Sequence, residues 1–176
     1  MADKRRRRAA LAAGAEPRAS GVAADVSTWP QHFLDGLQIT QRVVRVHPAD
    51  ARLLARADQL ALKASRCNTA GPDSVLPVAA WAEAGCLWAL ELKDRFGDLG
   101  TVAVAAVLGV RLEFLAVACR ALPFRPVRRF LREVPAGLPL RATVAAGPAQ
   151  RSTVAVLRSA GYAPHARREP RDRVFT

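Results

Sequence analysis

LWALELKDRFGDLGTVAVAAVLGVRLEFLAVA, residues 87–118, decides the fold. Leu87–Lys93 alternates apolar and polar side chains at the two-residue period of a strand. It runs into a polar turn, Asp94-Arg95-Phe96-Gly97-Asp98. Thr101–Leu108 is apolar on both faces, as a central strand covered from two sides should be. Gly109 turns the chain into Val110–Ala118, where Leu112, Phe114 and Ala116 alternate against Arg111 and Glu113. Strands joined by such short turns form an antiparallel meander.

Working outward, the upstream chain supplies a strand and three helices. Trp29-Pro30 starts the ordered part, and Gln31–Leu37 suits a short helix ending near Gly36. Val43, Val44 and Val46 mark a strand that Pro48 ends, and Asp50 is placed to cap a helix. That helix, Ala51–Ala64, repeats Leu53, Leu54, Ala57, Leu60 and Ala61 at three- and four-residue spacing, leaving Arg52, Arg56 and Lys63 wet. It stops at Asn68-Thr69-Ala70-Gly71-Pro72, and a second helix spans Leu76–Glu83. Downstream come a basic amphipathic helix at Pro126–Val134, a strand at Leu140–Ala145, and a helix from Ala149 to Ala160 closed by Gly161. An edge strand after Tyr162 and a basic tail finish the chain.

The order is strand, two helices, three antiparallel strands, helix, strand, helix, strand. That predicts an α/β (α+β) chain of GNAT-like type: a mixed, mainly antiparallel sheet with helices on both faces. One such domain is expected over 29–166, between a disordered basic tail at 1–28 and a basic C-terminal tail at 167–176.

Charge narrows the partners. The chain carries 27 Lys and Arg against 15 Asp and Glu, a formal +12, which makes a polyanion worth weighing. Five of those charges lie in residues 4–8, and the rest are spread as arginine without interleaved aromatics to stack bases. That pattern argues against nucleic acid and suits an acidic protein or a phosphate group. No apolar run nears the roughly 20 residues that cross a bilayer, and no signal peptide is visible, so a cytoplasmic chain is expected. Cys67, Cys86 and Cys119 fit no metal-ligand spacing, and an odd count points to free thiols.

Several motifs resemble the C-terminal domain of the FkbH-like family. DRFGDLG at 94–100 is similar to its D-R-F-G-D-x-G turn. RADQLALKASRCN at 56–68 resembles its Q-L-x-x-K-T-N-Q-F-N helix and loop. LAVACRAL at 115–122 looks like its M-S-C-R-V-L strand end, and VAVLRSAGY at 154–162 resembles F-Y-x-x-L-G-F. HFLDGL at 32–37 is similar to the linker leading to the family's phosphatase-like half. The resemblance covers about 31–165. It implies a glyceryl–acyl carrier protein synthase: an acyltransferase-like domain moving a three-carbon acyl group onto the phosphopantetheine thiol of a carrier protein, for polyketide-type or antibiotic biosynthesis. No cofactor would be held permanently; the carrier's phosphopantetheine, or coenzyme A, would visit. The HAD-type phosphatase half would come from a separate chain.

The site residues follow from both lines of reasoning. Cys119 ends an apolar strand beside Arg120, where a neighbouring guanidinium raises a thiol's thiolate fraction. It is either an acyl relay or a buried small hydrophobe. Gly97 and Gly100 serve tight turn geometry, Asp94 and Arg95 are candidates to brace the turn, and Asp98 is the polar contact. Asn68 keeps the final position of the resembled loop. Arg120, Arg125, Arg128 and Arg129 are expected to hold a phosphate as side-chain forks, because Pro123 and Pro126 stand where the family has glycines and remove backbone donors. The family's Tyr, Lys and Asn are missing from 143–150, which leaves open a catalytically inactive docking or stabilising subunit. The transferase reading needs one further thing: a cleft between parted strands, wide enough for a thiol-tipped arm, beside Cys119 and the Asp94–Gly100 bend.

Overall fold

The computed structural model describes residue 9 and residues 31–64, 66–70, 74–134, 141–145, 150–165 and 172–175. The expected disordered tail at 1–28 lies outside them, apart from residue 9. The described helices are α1 (Gln31–Gly36), α2 (Ala51–Lys63), α3 (Val78–Glu83), α4 (Val127–Glu133) and α5 (Arg151–Ser159). The strands are β1 (Thr40–Arg45), β2 (Leu87–Asp94), β3 (Gly97–Leu108), β4 (Arg111–Val117), β5 (Arg141–Ala145), β6 (Pro164–His165) and β7 (Asp172–Phe175). A 3₁₀ turn, Cys119–Phe124, follows β4.

Among the described residues the sheet runs β1-β2-β3-β4-β5-β7-β6. All its pairs are antiparallel except β4 with β5. This is the mixed, mainly antiparallel sheet that the order of elements predicts. Thr101 to Val107 of β3 are buried at every position, which requires cover on both faces. α2 lies against β3 and β4. Asp50 caps it, its carboxylate accepting from the Leu53 N–H at 2.9 Å, and Leu53, Ala57, Leu60 and Ala61 go into the core. Arg56 crosses from the same helix to fork the Thr101 carbonyl, both contacts at 3.2 Å.

Three features depart from the sequence reading. First, β3 begins at Gly97, so the hairpin runs further into the polar turn. Bulges after Leu90 and Leu92 absorb the mismatch, and Gly97 and Gly100 hold positive φ of 125° and 68°, where a Cβ is penalised. Secondly, residues 119–124 wind into a 3₁₀ turn around Pro123 rather than a plain loop. Thirdly, Asp172–Phe175 is a strand, not tail. It lies between β5 and β6, pairing Ala142 with Phe175 and His165 with Val174.

Candidate functional site

β4 and β5 are the parallel pair, and they pair only at their beginnings, Arg111 with Arg141 and Leu112 with Ala142. Beyond that point the strands part. A parting of two parallel strands exposes a row of unpaired backbone groups, to which an extended ligand could add.

In this chain the row is taken by the chain itself. The loop after α2 enters the gap as a short pseudo-strand, with Asn68 bridged antiparallel to Ala116. The Val117 N–H donates to the Cys67 carbonyl at 2.8 Å, and the Thr69 N–H to the Leu115 carbonyl at 2.9 Å. On the far side the Ala145 N–H of β5 donates to the Thr69 carbonyl at 2.9 Å. Side chains complete the seal. The Leu115 N–H donates to Thr69 Oγ1 at 2.9 Å. Thr153, fully buried in α5, accepts from the Asn68 N–H at 3.0 Å and donates to the Asn68 carbonyl at 3.1 Å. Cys67 and Thr69 are both buried. The open cleft expected here is therefore filled, because residues 67–69 bond to Leu115 and Val117 of β4 and to Ala145 of β5, groups that the parting of the strands leaves without a ladder partner.

The expected site residues divide accordingly. Asn68 sits in the plug, and its carboxamide is committed to the local fold: Nδ2 donates to the Ala61 carbonyl and Oδ1 accepts from the Ala70 N–H, both at 2.9 Å. Cys119 is exposed at the start of the 3₁₀ turn, beyond the plugged end of β4. Asp98 is also exposed, and its Oδ1 accepts from the Gly100 N–H at 2.6 Å, closing the bend. The two places meet, since Arg120 Nη2 donates to the Leu99 carbonyl at 3.1 Å. Asp94 is buried and its Oδ1 accepts from the Phe96 N–H at 2.9 Å, while the Arg95 guanidinium lies 4.7 Å from the Phe96 ring centre. Arg120, Arg125, Arg128 and Arg129 are all exposed along the 3₁₀ turn and α4, and Arg129 pairs with Glu133 at 2.6 Å. Among the described residues no three His, Cys, Asp or Glu side chains gather as a metal site, and no helix is long and apolar enough to cross a membrane. Thr69 and Thr153 hold the plug without having been singled out from the sequence. The available signal is a threonine inside the otherwise apolar stripe of α5, in STVAVL.

The plug has a reactivity signature. Burial pushes the Cys67 thiol up to about 12, against a hydrogen bond with Thr153 that pulls the other way; Cys119 nearby adds to the rise. Iodoacetamide at pH 8 is expected to alkylate Cys119 promptly in the folded chain and leave Cys67 unmodified, because the thiolate is the nucleophile. Peptide mass mapping reads the difference. The same burial makes the fold alkali-sensitive. Folded Cys67 keeps its proton to about pH 12, whereas an ordinary thiol releases it near 9.0. Stability is thus fully present below pH 9 and falls as pH rises towards 12, by up to about 1.4 kcal/mol per pH unit. Tyr162, also raised by burial, acts in the same direction. Urea midpoints at pH 8, 9.5 and 10.5 check this.

No protein-family model matches the chain, and no curated protein does. Solved structures of similar shape include a GNAT-family acetyltransferase from Streptococcus pneumoniae, at 11% identity and a TM-score of 0.47, covering 77% of this chain and 96% of that one. The diaminobutyrate acetyltransferase EctA from Paenibacillus lautus, solved with L-2,4-diaminobutyric acid and coenzyme A, is similar at 10% identity and a TM-score of 0.46, covering 80% and 94%. The ribosomal-protein-S5-alanine acetyltransferase from Vibrio fischeri is similar at 10% identity and a TM-score of 0.45, covering 77% and 91%. The chemistry of the site rests on the chain's own geometry.

Proposed function

We propose that this chain is a GNAT-like docking module for an acyl carrier protein in an acyl-transfer system of polyketide-type biosynthesis, with no thioester channel of its own. The observation that carries the reading is the seating of Cys67–Thr69 between β4 and β5. A pantetheine arm that added to the edge of β4 would have to displace hydrogen bonds that the chain already makes. What the surface offers instead is cationic: Arg120, Arg125 and Arg128 stand exposed on consecutive elements. The acidic surface of a carrier protein is complementary to that face, whether or not the protein carries its arm. A separate HAD-type phosphatase would act on the acyl donor elsewhere.

Calorimetric titration of apo- and phosphopantetheinylated carrier protein tests this. Both forms are expected to bind within about twofold of each other, and affinity should fall as salt rises from about 50 to about 300 mM. Arg125→Glu with Arg128→Glu should weaken binding about tenfold or more, which is about 1.4 kcal/mol. Absence of binding at low salt contradicts the reading.

A second reading is favoured by the meeting of Arg120 with Leu99 beside exposed Cys119. There the Cys119 thiol would attack an acyl thioester, release the pantetheine thiol, and later return the acyl group by the reverse exchange. Intact-mass analysis after incubation with a donor thioester separates the two. An acyl adduct that Cys119→Ala abolishes supports rim transfer; docking alone leaves no adduct.

A further inference from the structure

A cavity of about 480 Å³ opens where α1 and the lead-in to β1 meet the end of the 3₁₀ turn, and it shares no wall residue with the plug. Its size falls within the range of small-molecule sites. Leu34 and Phe124, both buried, and half-buried Ile39 give the wall an apolar part. In the same wall Gln41 Oε1 is buried with no hydrogen-bond partner. Such an acceptor destabilises the fold unless a donor reaches it, and a donor has room to come from the cavity. The charged side chains of the wall, Asp35 and Arg125, each have an interaction within the chain already. An ion entering here would give up its hydration without a free counter-charge to replace it.

From this geometry we propose that the cavity binds a small uncharged molecule with an apolar body and an N–H or O–H donor. The donor meets Gln41 Oε1, the body covers Leu34, Ile39 and Phe124, and Asp35 and Arg125 keep the interactions they have. The donor is required rather than tolerated, because an apolar body alone would seal Gln41 Oε1 further from water and leave it unpaired.

The test compares matched pairs in ¹H–¹⁵N spectra of the full chain: indole with 1-methylindole, and benzyl alcohol with its methyl ether. Saturable shifts of the Gln41 side-chain amide and the Ile39 backbone amide are expected for indole and benzyl alcohol. Each methylated partner should bind more weakly by about tenfold or more. Gln41→Met keeps the length of the side chain and removes the acceptor. It should abolish the difference within each pair and raise Tm by a few degrees, since no buried oxygen is left without a partner. The proposal is overturned if neither donor saturates by about 20 mM, if the methylated partners bind as well, or if the shifts map elsewhere. It is also overturned if Gln41→Met lowers Tm, which would mean that Gln41 Oε1 already has its donor. Arg125 stands on the docking face as well as here. Gln41→Met leaves every docking arginine in place, so the carrier titration repeated on this variant reads the docking face by itself.

Discussion

Phe114→Ala is expected to lower the unfolding free energy by about 3–5 kcal/mol, near the top of that range. Phe114 has no exposed surface and stacks on Trp81 of α3, ring centres 5.5 Å apart and planes 18° apart. It therefore ties α3 to the sheet. Its surroundings decide the size of the effect. Across the ladder it faces Ala106, and Ala116, two residues further along β4 and so on the same face, is also fully buried. Alanines cannot swing into a void, so the hole left by the ring stays open. The lost ring stack adds about 0.5–1.5 kcal/mol of its own. Urea denaturation should show the fall, while Val110→Ala, at a position 55% exposed, should change stability by less than about 0.5 kcal/mol.

The second large effect concerns the plug. Thr69→Val with Thr153→Val keeps side-chain volume and removes two buried hydroxyls. The Leu115 N–H loses the acceptor 2.9 Å away, and the Asn68 backbone loses partners for both its N–H and its carbonyl. Each buried group left unsatisfied costs about 1–3 kcal/mol, so the pair should cost about 2–5 kcal/mol. A plug held only by backbone bonds opens more often, and Cys67 sits inside it. The double variant should therefore admit iodoacetamide to Cys67 under conditions where the wild-type chain is modified at Cys119 alone. A loss of stability with no change at Cys67 would mean that the threonines brace the core without gating the gap.

Most of the frame was legible in the sequence because its signals are local. Alternation in 87–93 and the unbroken apolar run of 101–108 gave β2 and β3, and Asp50 before a three-and-four repeat gave α2 with its cap. The residues that escaped are those whose structure is set by distant partners. Asp172–Phe175 sits among Arg, Glu and Pro residues and reads as tail; only the free edge of β5 makes it a strand. The 3₁₀ turn at 119–124 winds through a proline that ordinarily argues against helix. At the site, Arg120 reaches the Asp94–Gly100 bend at the Leu99 carbonyl, since strand-end position follows from hairpin lengths, but the open cleft expected beside that contact is filled. The filling of the gap was hidden. Asn68-Thr69-Ala70 is a loop by composition, and nothing within it says that it will lie against Leu115–Val117, some 46 residues away. Asn68 stands out as a polar loop residue for the same reason that it was available to build the plug: a short carboxamide can satisfy neighbouring backbone on both sides.

Amide hydrogen exchange at Val117, Thr69 and Ala145 tests the central claim most directly, because those three N–H groups close the gap. In the folded chain without ligand they should exchange as slowly as the Phe114 amide in the middle of β4, and adding coenzyme A or pantetheine should leave their rates unchanged. Rapid exchange at all three beside a protected β4 centre, slowed by pantetheine, would mean that the strands part around an open channel and that the chain is built to hold a thioester arm there.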